Sequence, residues 1–209
     1  MNEKLLVARG YDRIAEGFQR RAESKEFGRK RAYLTELIAG LPDGARVLDL
    51  GCGAGDPVLR DLDGRMCVVG VDIARGQLAL ARRVAPRAGL LLADMCALPL
   101  RPASFDAISA FYSIIHVPKD QHGPLLRALY GLLRPGGRLL AVLGARAWEG
   151  AEDDWLGLGA TMWWSHWDAE TGLRLVREAG FRVARSQYEP DHLDDGPGGH
   201  LFVLAERPG

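Results

Sequence analysis

One short segment, residues 46–56, constrains the fold of this chain more than any other. An apolar stretch typical of a buried strand carries Asp49 near its end and then breaks into alternating glycines. These are Gly51, Gly53 and Gly55. A strand that stops at glycines lets a ligand lie directly against the backbone, because no Cβ keeps it away. Asp56 and Pro57 follow as a side-chain cap and a first-turn proline, which predict the start of a helix.

This strand, turn and helix are typical of the first unit of a nucleotide-binding α/β fold. The glycine spacing is G-x-G-x-G, whereas the dinucleotide fingerprint G-x-G-x-x-G needs glycine or alanine where Asp56 stands. A fixed negative charge there would face the pyrophosphate of NAD. An NAD(P) oxidoreductase is therefore the weaker alternative.

Four later runs share the apolar character of the first, and they cover residues 66–72, 89–94, 105–111 and 133–140. Asp72 ends the first of them, about 20 residues after Gly51, where an acid accepts hydrogen bonds from a ribose diol. Asp94 ends the second run in the same way. Aspartate is also favoured as a helix cap, so a capping role for Asp72 and Asp94 stays open.

Helical patterns separate these runs and predict a parallel, doubly wound α/β sheet. The predicted helices lie within residues 10–39 and at 57–62, 75–84 and 120–133, with one more after the capping residue Asp168. Strands are predicted at 181–189 and 199–206. With no helix between these two, the final strand is expected to run antiparallel.

The order of these segments resembles that of class I S-adenosylmethionine (SAM)-dependent methyltransferases. Within that family the resemblance is to the small-molecule branch related to quinone-biosynthesis enzymes, methyltransferase type 11. It is strong over residues 45–144 and looser elsewhere. It implies a Rossmann-like, doubly wound seven-stranded sheet, mostly parallel with an antiparallel last strand, and an N-terminal helical cap. The single domain, 1–209, would then comprise a helical lid at 1–39, a cofactor-binding core at 45–144 and an aromatic-rich substrate segment at 145–167.

The resemblance also implies which residues hold SAM and its product S-adenosylhomocysteine (SAH). Gly51 and Gly53 are expected beside the methionine part, Asp72 at the ribose hydroxyls and Asp94 at the adenine amino group. The residues predicted to contact the cofactor are Asp49, Gly51, Cys52, Gly53, Gly55, Asp72, Ile73, Asp94, Met95 and Phe111.

Two histidines are the candidate catalytic residues. His116 follows the fourth strand, where this family lines the methyl-transfer site, and an imidazole titrates near neutrality. The alternative is that His116 caps a helix or satisfies backbone groups. His166 lies in an aromatic run that resembles a recurring Trp-Ser-His segment of bacterial relatives. That run would either roof the acceptor pocket or form a hydrophobic plug.

The acceptor site is predicted from the same rim of the sheet. Ligands of open α/β sheets bind beyond the carboxyl ends of the strands, where His192 and His200 also fall, whereas His122 is expected to face away. Tyr11 begins a Tyr-Asp-x-x-Ala opening that resembles that of small-molecule methyltransferases, and it would contact a ligand or pack under a helix. The predicted substrate contacts are Tyr11, Tyr112, His116, Trp163, Trp164, His166 and His200.

Composition excludes several other classes of function. The 27 basic and 27 acidic residues balance, so no electrostatic footprint for a nucleic acid is present. No apolar run has signal-peptide or membrane-spanning character, and three cysteines lack metal-ligand spacing, which predicts a cytoplasmic protein with no metal site. The predicted activity is methyl transfer to oxygen or nitrogen of a small molecule, by a monomer or homodimer. A non-catalytic, SAM-binding regulatory protein is the alternative.

Overall fold

The computed structural model describes residues 2–22, 27–190 and 199–209. Helices and strands alternate through most of the chain, as the sequence pattern predicts. In chain order they are α1 (Glu3–Ala22), α2 (Phe27–Ile38), β1 (Arg46–Leu50), α3 (Val58–Leu62), β2 (Cys67–Asp72), α4 (Arg75–Val84), β3 (Gly89–Leu92), β4 (Phe105–Ala110), α5 (His122–Leu132), β5 (Leu133–Gly144), β6 (Trp148–Glu152), β7 (Met162–His166), α6 (Ala169–Glu178), β8 (Arg182–Pro190) and β9 (Gly199–Glu206).

Seven of the strands form one sheet in the order β3-β2-β1-β4-β5-β9-β8. Strands β1 to β5 pair in parallel, and β9 runs antiparallel to both of its neighbours. The predicted doubly wound sheet with an antiparallel last strand is therefore confirmed. The order places the carboxyl end of β1 in the middle of the five parallel strands, between those of β2 and β4.

Apolar side chains cover both faces of this sheet, which is why its central strands read as nearly continuous apolar runs. On one face Leu48 and Leu125 belong to a core shared with α5 and α6. On the other face Leu37, Leu59 and Ala81 pack from α2, α3 and α4. The carboxyl-edge loops are thus carried on a rigid, fully packed sheet.

A third, smaller core joins α1 to the aromatic segment that follows β5. That segment is an antiparallel hairpin of β6 and β7, a structure that its sequence pattern did not predict. Ile14 of α1 packs there with Trp155 and Met162. We call α1 together with this hairpin the lid, because both lie over the carboxyl edge of the sheet.

Two local expectations are corrected by the structure. Asp56 does not cap the helix after the glycine turn: Pro57 occupies the cap position of α3, and the Asp56 carboxylate instead accepts from Arg60 Nη2 at 2.8 Å. An ion pair one helical turn apart competes with capping for the same carboxylate. The helix expected to extend to residue 133 ends at Leu132, because β5 already begins at Leu133. By contrast, Asp168 caps α6 as predicted, accepting from the backbone N–H of Thr171 at 2.9 Å.

Candidate active site

A cavity of about 800 Å³ opens at the carboxyl edge of the sheet, beneath the lid. We distinguish two parts of its lining. The glycine side comprises Asp49, Gly51, Gly53, Asp72 and Gln77, and the aromatic side comprises Tyr11, His116, Trp148, Trp155 and Trp164. The volume lies toward the upper end of the usual range for small-molecule sites, which leaves room for two ligands side by side.

The turn after β1 brings backbone into the cavity on the glycine side. Gly51 has a φ of +66°, and a Cβ there would collide with the side chain of Ser113. Gly53 has a φ of +53°, and its N–H donates to Asp72 Oδ2 at 2.9 Å. Glycine is required at both positions, since other residues rarely adopt such backbone angles. Gly55 differs, because a Cβ there would meet Val84 at 2.8 Å, so the structure places this glycine against α4.

Two buried carboxyls stand beside this turn. Asp49 is 4% exposed and accepts from the Ser109 hydroxyl at 2.6 Å, while burial raises its pKa to about 7. Burial also raises the pKa of Asp72 to about 6, although backbone N–H donors, among them that of Ala74 at 2.8 Å, oppose the shift. A cation in the cavity would favour the ionised form of both groups.

Asp94 is engaged by the lid rather than left open to a ligand. Lys4 of α1 donates to its Oδ2 at 2.7 Å, and the backbone N–H of Cys96 donates to its Oδ1 at 2.9 Å. Burial raises the pKa of Asp94, but the hydrogen bonds from Lys4 and Cys96 and the charge of Lys4 together outweigh it, so that the net pKa lies below the ordinary value. Lys4 also donates to Gln121 at 2.6 Å. The predicted adenine contact of Asp94 would therefore be shared with Lys4.

On the aromatic side, His116 and Tyr11 form a hydrogen-bonded pair. His116 Nδ1 lies 2.6 Å from the Trp163 carbonyl oxygen, which can only accept, so Nδ1 carries the proton. His116 Nε2 therefore accepts from the Tyr11 hydroxyl at 3.0 Å. Burial lowers the pKa of His116 to about 4, which keeps the imidazole neutral at physiological pH. The lid helix and the loop after β4 thus meet through a neutral histidine and a phenol.

Aromatic rings form the remaining walls. Trp155 stands edge-on to Tyr11, with ring centroids 5.9 Å apart, and Trp164 lies against His116 at 4.4 Å. Tyr112, a predicted substrate contact, lines the cavity. Trp163, a predicted substrate contact, is not among the residues that line the cavity; it packs against the small core shared by α1 and the hairpin, and its indole N–H is buried without a partner in the described part of the chain.

The other described histidines fall into two groups, those that line the cavity and one that does not. His166 and His200 both line the cavity. His166 Nδ1 bonds to the Arg146 carbonyl at 2.7 Å, and burial lowers its pKa. His122 is buried away from the cavity and bonds to the Val117 carbonyl at 2.9 Å. His192 lies outside the described residues.

Most of the predicted cofactor contacts meet at this cavity, and some lining residues were missed. Asp49, Gly51, Cys52, Gly53, Asp72, Ile73, Asp94, Met95 and Phe111 all line it. Lys4, Gln77, Lys30 and Trp148 line it without having been predicted. Lysine and glutamine on a charged helix resemble solvent-facing residues in sequence, so only the packing reveals them. Among residues 2–22, 27–190 and 199–209, no acid, histidine and cysteine side chains cluster in threes to hold a metal ion.

Comparison with known proteins agrees with this geometry. Residues 47–137 match the family described as "Methyltransferase domain". Residues 47–137 therefore carry a methyltransferase domain, within a fold that SAM-dependent methyltransferases share. Within the described residues, no helix has both the length and the apolar character needed to cross a bilayer.

Two curated methyltransferases share part of their sequence with it. The chain is 35% identical over 127 residues to 27-O-demethylrifamycin SV methyltransferase of Amycolatopsis mediterranei, covering 56% of this chain and 46% of that protein. It is 32% identical over 139 residues to 2-phytyl-1,4-naphtoquinone methyltransferase of Thermosynechococcus vestitus, covering 61% and 60%. The chain thus spans about half the length of the curated relatives it matches.

A solved methyltransferase shares the fold across nearly the whole chain. The structure of 1,6-didemethyltoxoflavin-N1-methyltransferase from Burkholderia thailandensis, with bound 1,6-didemethyltoxoflavin and SAH, superposes with a TM-score of 0.69. The two sequences are 21% identical, and the superposition covers 97% of this chain and 88% of the other. At that identity the likeness establishes a common fold, including the elements outside the matched domain.

Proposed function

We propose that this methyltransferase transfers the methyl group of SAM to an oxygen or nitrogen of a small, largely aromatic molecule. One observation carries the proposal: a single cavity brings the glycine turn and its acids together with a Tyr11–His116 pair among tryptophan rings. The first part fits the methyl donor and the second an acceptor. Both would be needed for a direct transfer between two bound molecules.

The glycine side fits SAM in shape and charge. The space that a Cβ of Gly53 would fill is open to the cavity, with Gln77 Oε1 3.6 Å away as its nearest neighbour. Asp49 and Asp72 supply negative charge and acceptors, which suit the cationic donor and its ribose hydroxyls. When bound, SAM supplies an electrophilic methyl group on a sulfonium. The chain itself has to bind and align the two molecules and manage one proton.

The Tyr11–His116 pair is placed to take that proton from an acceptor hydroxyl or amine. The Tyr11 oxygen would accept the acceptor's proton while its own proton passes to His116 Nε2. The imidazolium formed would keep its Nδ1–H bond to the Trp163 carbonyl. With a pKa of about 4, His116 is too weak a base to ionise a phenol in advance, so proton transfer would accompany methyl transfer.

Flat, fused-ring molecules are the proposed acceptors. Indole and phenol rings offer rigid apolar walls with few polar handles, an environment suited to stacking on a planar ligand. The names of the two curated relatives specify a rifamycin and a naphthoquinone as their substrates. A quinone-like or phenolic polycycle fits both lines of support, whereas a macromolecule fits neither.

Calorimetry with SAM and SAH tests the donor half of the proposal. The native protein should bind both, and Asp72→Ala should weaken binding by roughly 1.5–3 kcal/mol, the scale of a hydrogen bond to a charged group. Methyl transfer from labelled SAM, assayed against fractionated lysate, should appear in the small-molecule fraction. Label confined to protein or nucleic acid would refute the acceptor class, and tight SAH binding without any transfer would favour the regulatory alternative.

Tyr11→Phe tests the acceptor half. Losing the phenol should lower kcat about 100-fold, the lower end of what a positioned acid–base group contributes, and leave SAH affinity unchanged. Tyr130→Phe is the matched control, since Tyr130 packs between Phe181 and Arg207, away from the cavity. An unaltered kcat in Tyr11→Phe would remove the proton-transfer role of the pair.

A further inference from the structure

Gln77 has a buried, unsatisfied hydrogen-bond donor beside the cavity. The residue lies in the first turn of α4, is 2% exposed, and contributes to the cavity lining. Its side-chain Nε2 is buried and has no hydrogen-bond partner in the part of the chain that the structure describes. Buried polar side chains are nearly always paired, so this donor calls for a specific partner.

A buried amide without a partner destabilises the protein, because its desolvation is not compensated. Methionine or leucine would fill a similar volume on this helix without that cost. We propose that Gln77 is a further cofactor-binding residue, whose Nε2 donates to the carboxylate of the methionine part of SAM. The inference rests on the function proposed above and adds a recognition contact to it.

The surrounding groups favour the carboxylate as the partner. Gln77 flanks the glycine turn, since its Oε1 lies 3.6 Å from the position of a Cβ on Gly53. The cofactor's hydroxyl and amino groups find acceptors here in Asp49 and Asp72. These acids accept hydrogen bonds and do not suit a second carboxylate. The N–H of Gly53 is already used by Asp72 at 2.9 Å. The amide of Gln77 is a donor that the acids on this side do not occupy.

Binding of two ligands to Gln77→Met tests the assignment. SAH carries the amino-acid part of the cofactor, whereas 5′-methylthioadenosine has the same nucleoside without it. In calorimetry the variant should bind SAH about 10-fold more weakly and methylthioadenosine as well as the native protein does. An equal loss for both ligands would move the contact to the nucleoside, and no loss for either would remove Gln77 from the site; both outcomes overturn the proposal.

A thermal unfolding series separates recognition from a structural role. Without ligand, Gln77→Met should unfold at the same or a higher temperature than the native protein, because an unpaired buried donor has been removed. Leu80→Met, on the same helix and outside the cavity lining, is the matched control. Gln77→Glu should weaken SAH binding further than Gln77→Met, because two carboxylates would then face each other. A drop in ligand-free stability that accounts for the lost affinity would overturn the proposal.

These outcomes are distinguishable from failure of the proposed function. If the native protein binds neither SAH nor methylthioadenosine, the function is refuted and Gln77 has no cofactor to meet. If the native protein binds SAH and Gln77→Met binds it with the same affinity, only the inference about Gln77 is overturned.

Discussion

Asp49 gives the cavity a charge that changes close to neutral pH. Its pKa rises from 3.8 to about 7 because the carboxyl is buried. Between these values the folded state holds a proton that the unfolded state has released. The free energy of unfolding therefore falls as pH rises from about 4 to 7, and the ionised carboxyl destabilises the fold most above pH 7. Asp49→Asn, which cannot ionise, should unfold at a higher temperature than the native protein at pH 8.

The same carboxyl should make the protein distinguish SAM from SAH in a pH-dependent way. SAM carries a positive sulfonium that SAH lacks, and an ionised Asp49 attracts that charge. The ratio of the Kd for SAH to the Kd for SAM should rise between pH 6 and pH 8. Calorimetry across this range measures it, and Asp49→Asn should flatten the dependence. A ratio that stays constant in the native protein would show that Asp49 does not sense the sulfonium.

Sequence reasoning succeeded at residues whose chemistry follows from a local pattern and failed where packing decides. The glycine turn, Asp72 and the cap at Asp168 belong to short sequence motifs, so their placement could be predicted. Gln77 and Lys4 could not, because a polar residue on a helix faces a cavity only if another element covers it. Trp164 lines the cavity and Trp163 does not, since adjacent residues in a strand point to opposite faces.

At the scale of elements, hydrogen bonds besides the Tyr11–His116 pair fasten α1 to the loops at the carboxyl edge and to α4. Lys4 joins it to Asp94 and Gln121, and Asp12 accepts from the backbone N–H of Gly76 at the start of α4 at 2.7 Å. The first of these contacts lies at a residue predicted to bind the cofactor. Cofactor binding should therefore be coupled to the position of the lid.

Hydrogen exchange checks that coupling. SAH should slow exchange in the lid, at residues 3–22 and 148–166, because closing the cavity orders both of its parts. Lys4→Met should speed exchange in α1 of the ligand-free protein, whereas Arg20→Met, which removes an exposed pair with Glu16, should not. Equal exchange with and without SAH would mean that the lid is static packing.

The elements of the sheet were predictable and the lid hairpin was not. Strands buried on both faces read as apolar runs separated by helical patterns, and that alternation predicts their order. Strands β6 and β7 are five residues each, and the loop between them lacks a two-residue turn signature. Aromatic residues at 145–167 therefore indicated a substrate segment but not its hairpin.

At the scale of the whole molecule, the lid core and the sheet cores should respond separately to substitution. Trp155 packs with α1, whereas Leu125 is fully buried between α5 and the sheet. Leu125→Ala should lower the free energy of unfolding by about 2–5 kcal/mol. Trp155→Ala should change the main transition by less than about 1 kcal/mol, because a loosened lid opens locally while the sheet stays folded.

Urea unfolding followed by far-ultraviolet circular dichroism measures the main transition in both variants. Exchange at residues 3–22 should rise in Trp155→Ala alone. If Trp155→Ala lowers the midpoint as much as Leu125→Ala, the lid and the sheet form one cooperative unit.

The separate core of the lid bears on how such a chain diversifies. Val7, Ile14, Trp155, Ala160 and Met162 belong to neither sheet core, so changes among them leave the packing around the glycine turn intact. Substitutions at sites without shared partners act nearly independently on stability. A lineage can therefore exchange the surface that meets the acceptor while inheriting the donor site unchanged. Acceptor range is then expected to evolve faster than donor identity in chains that share this architecture.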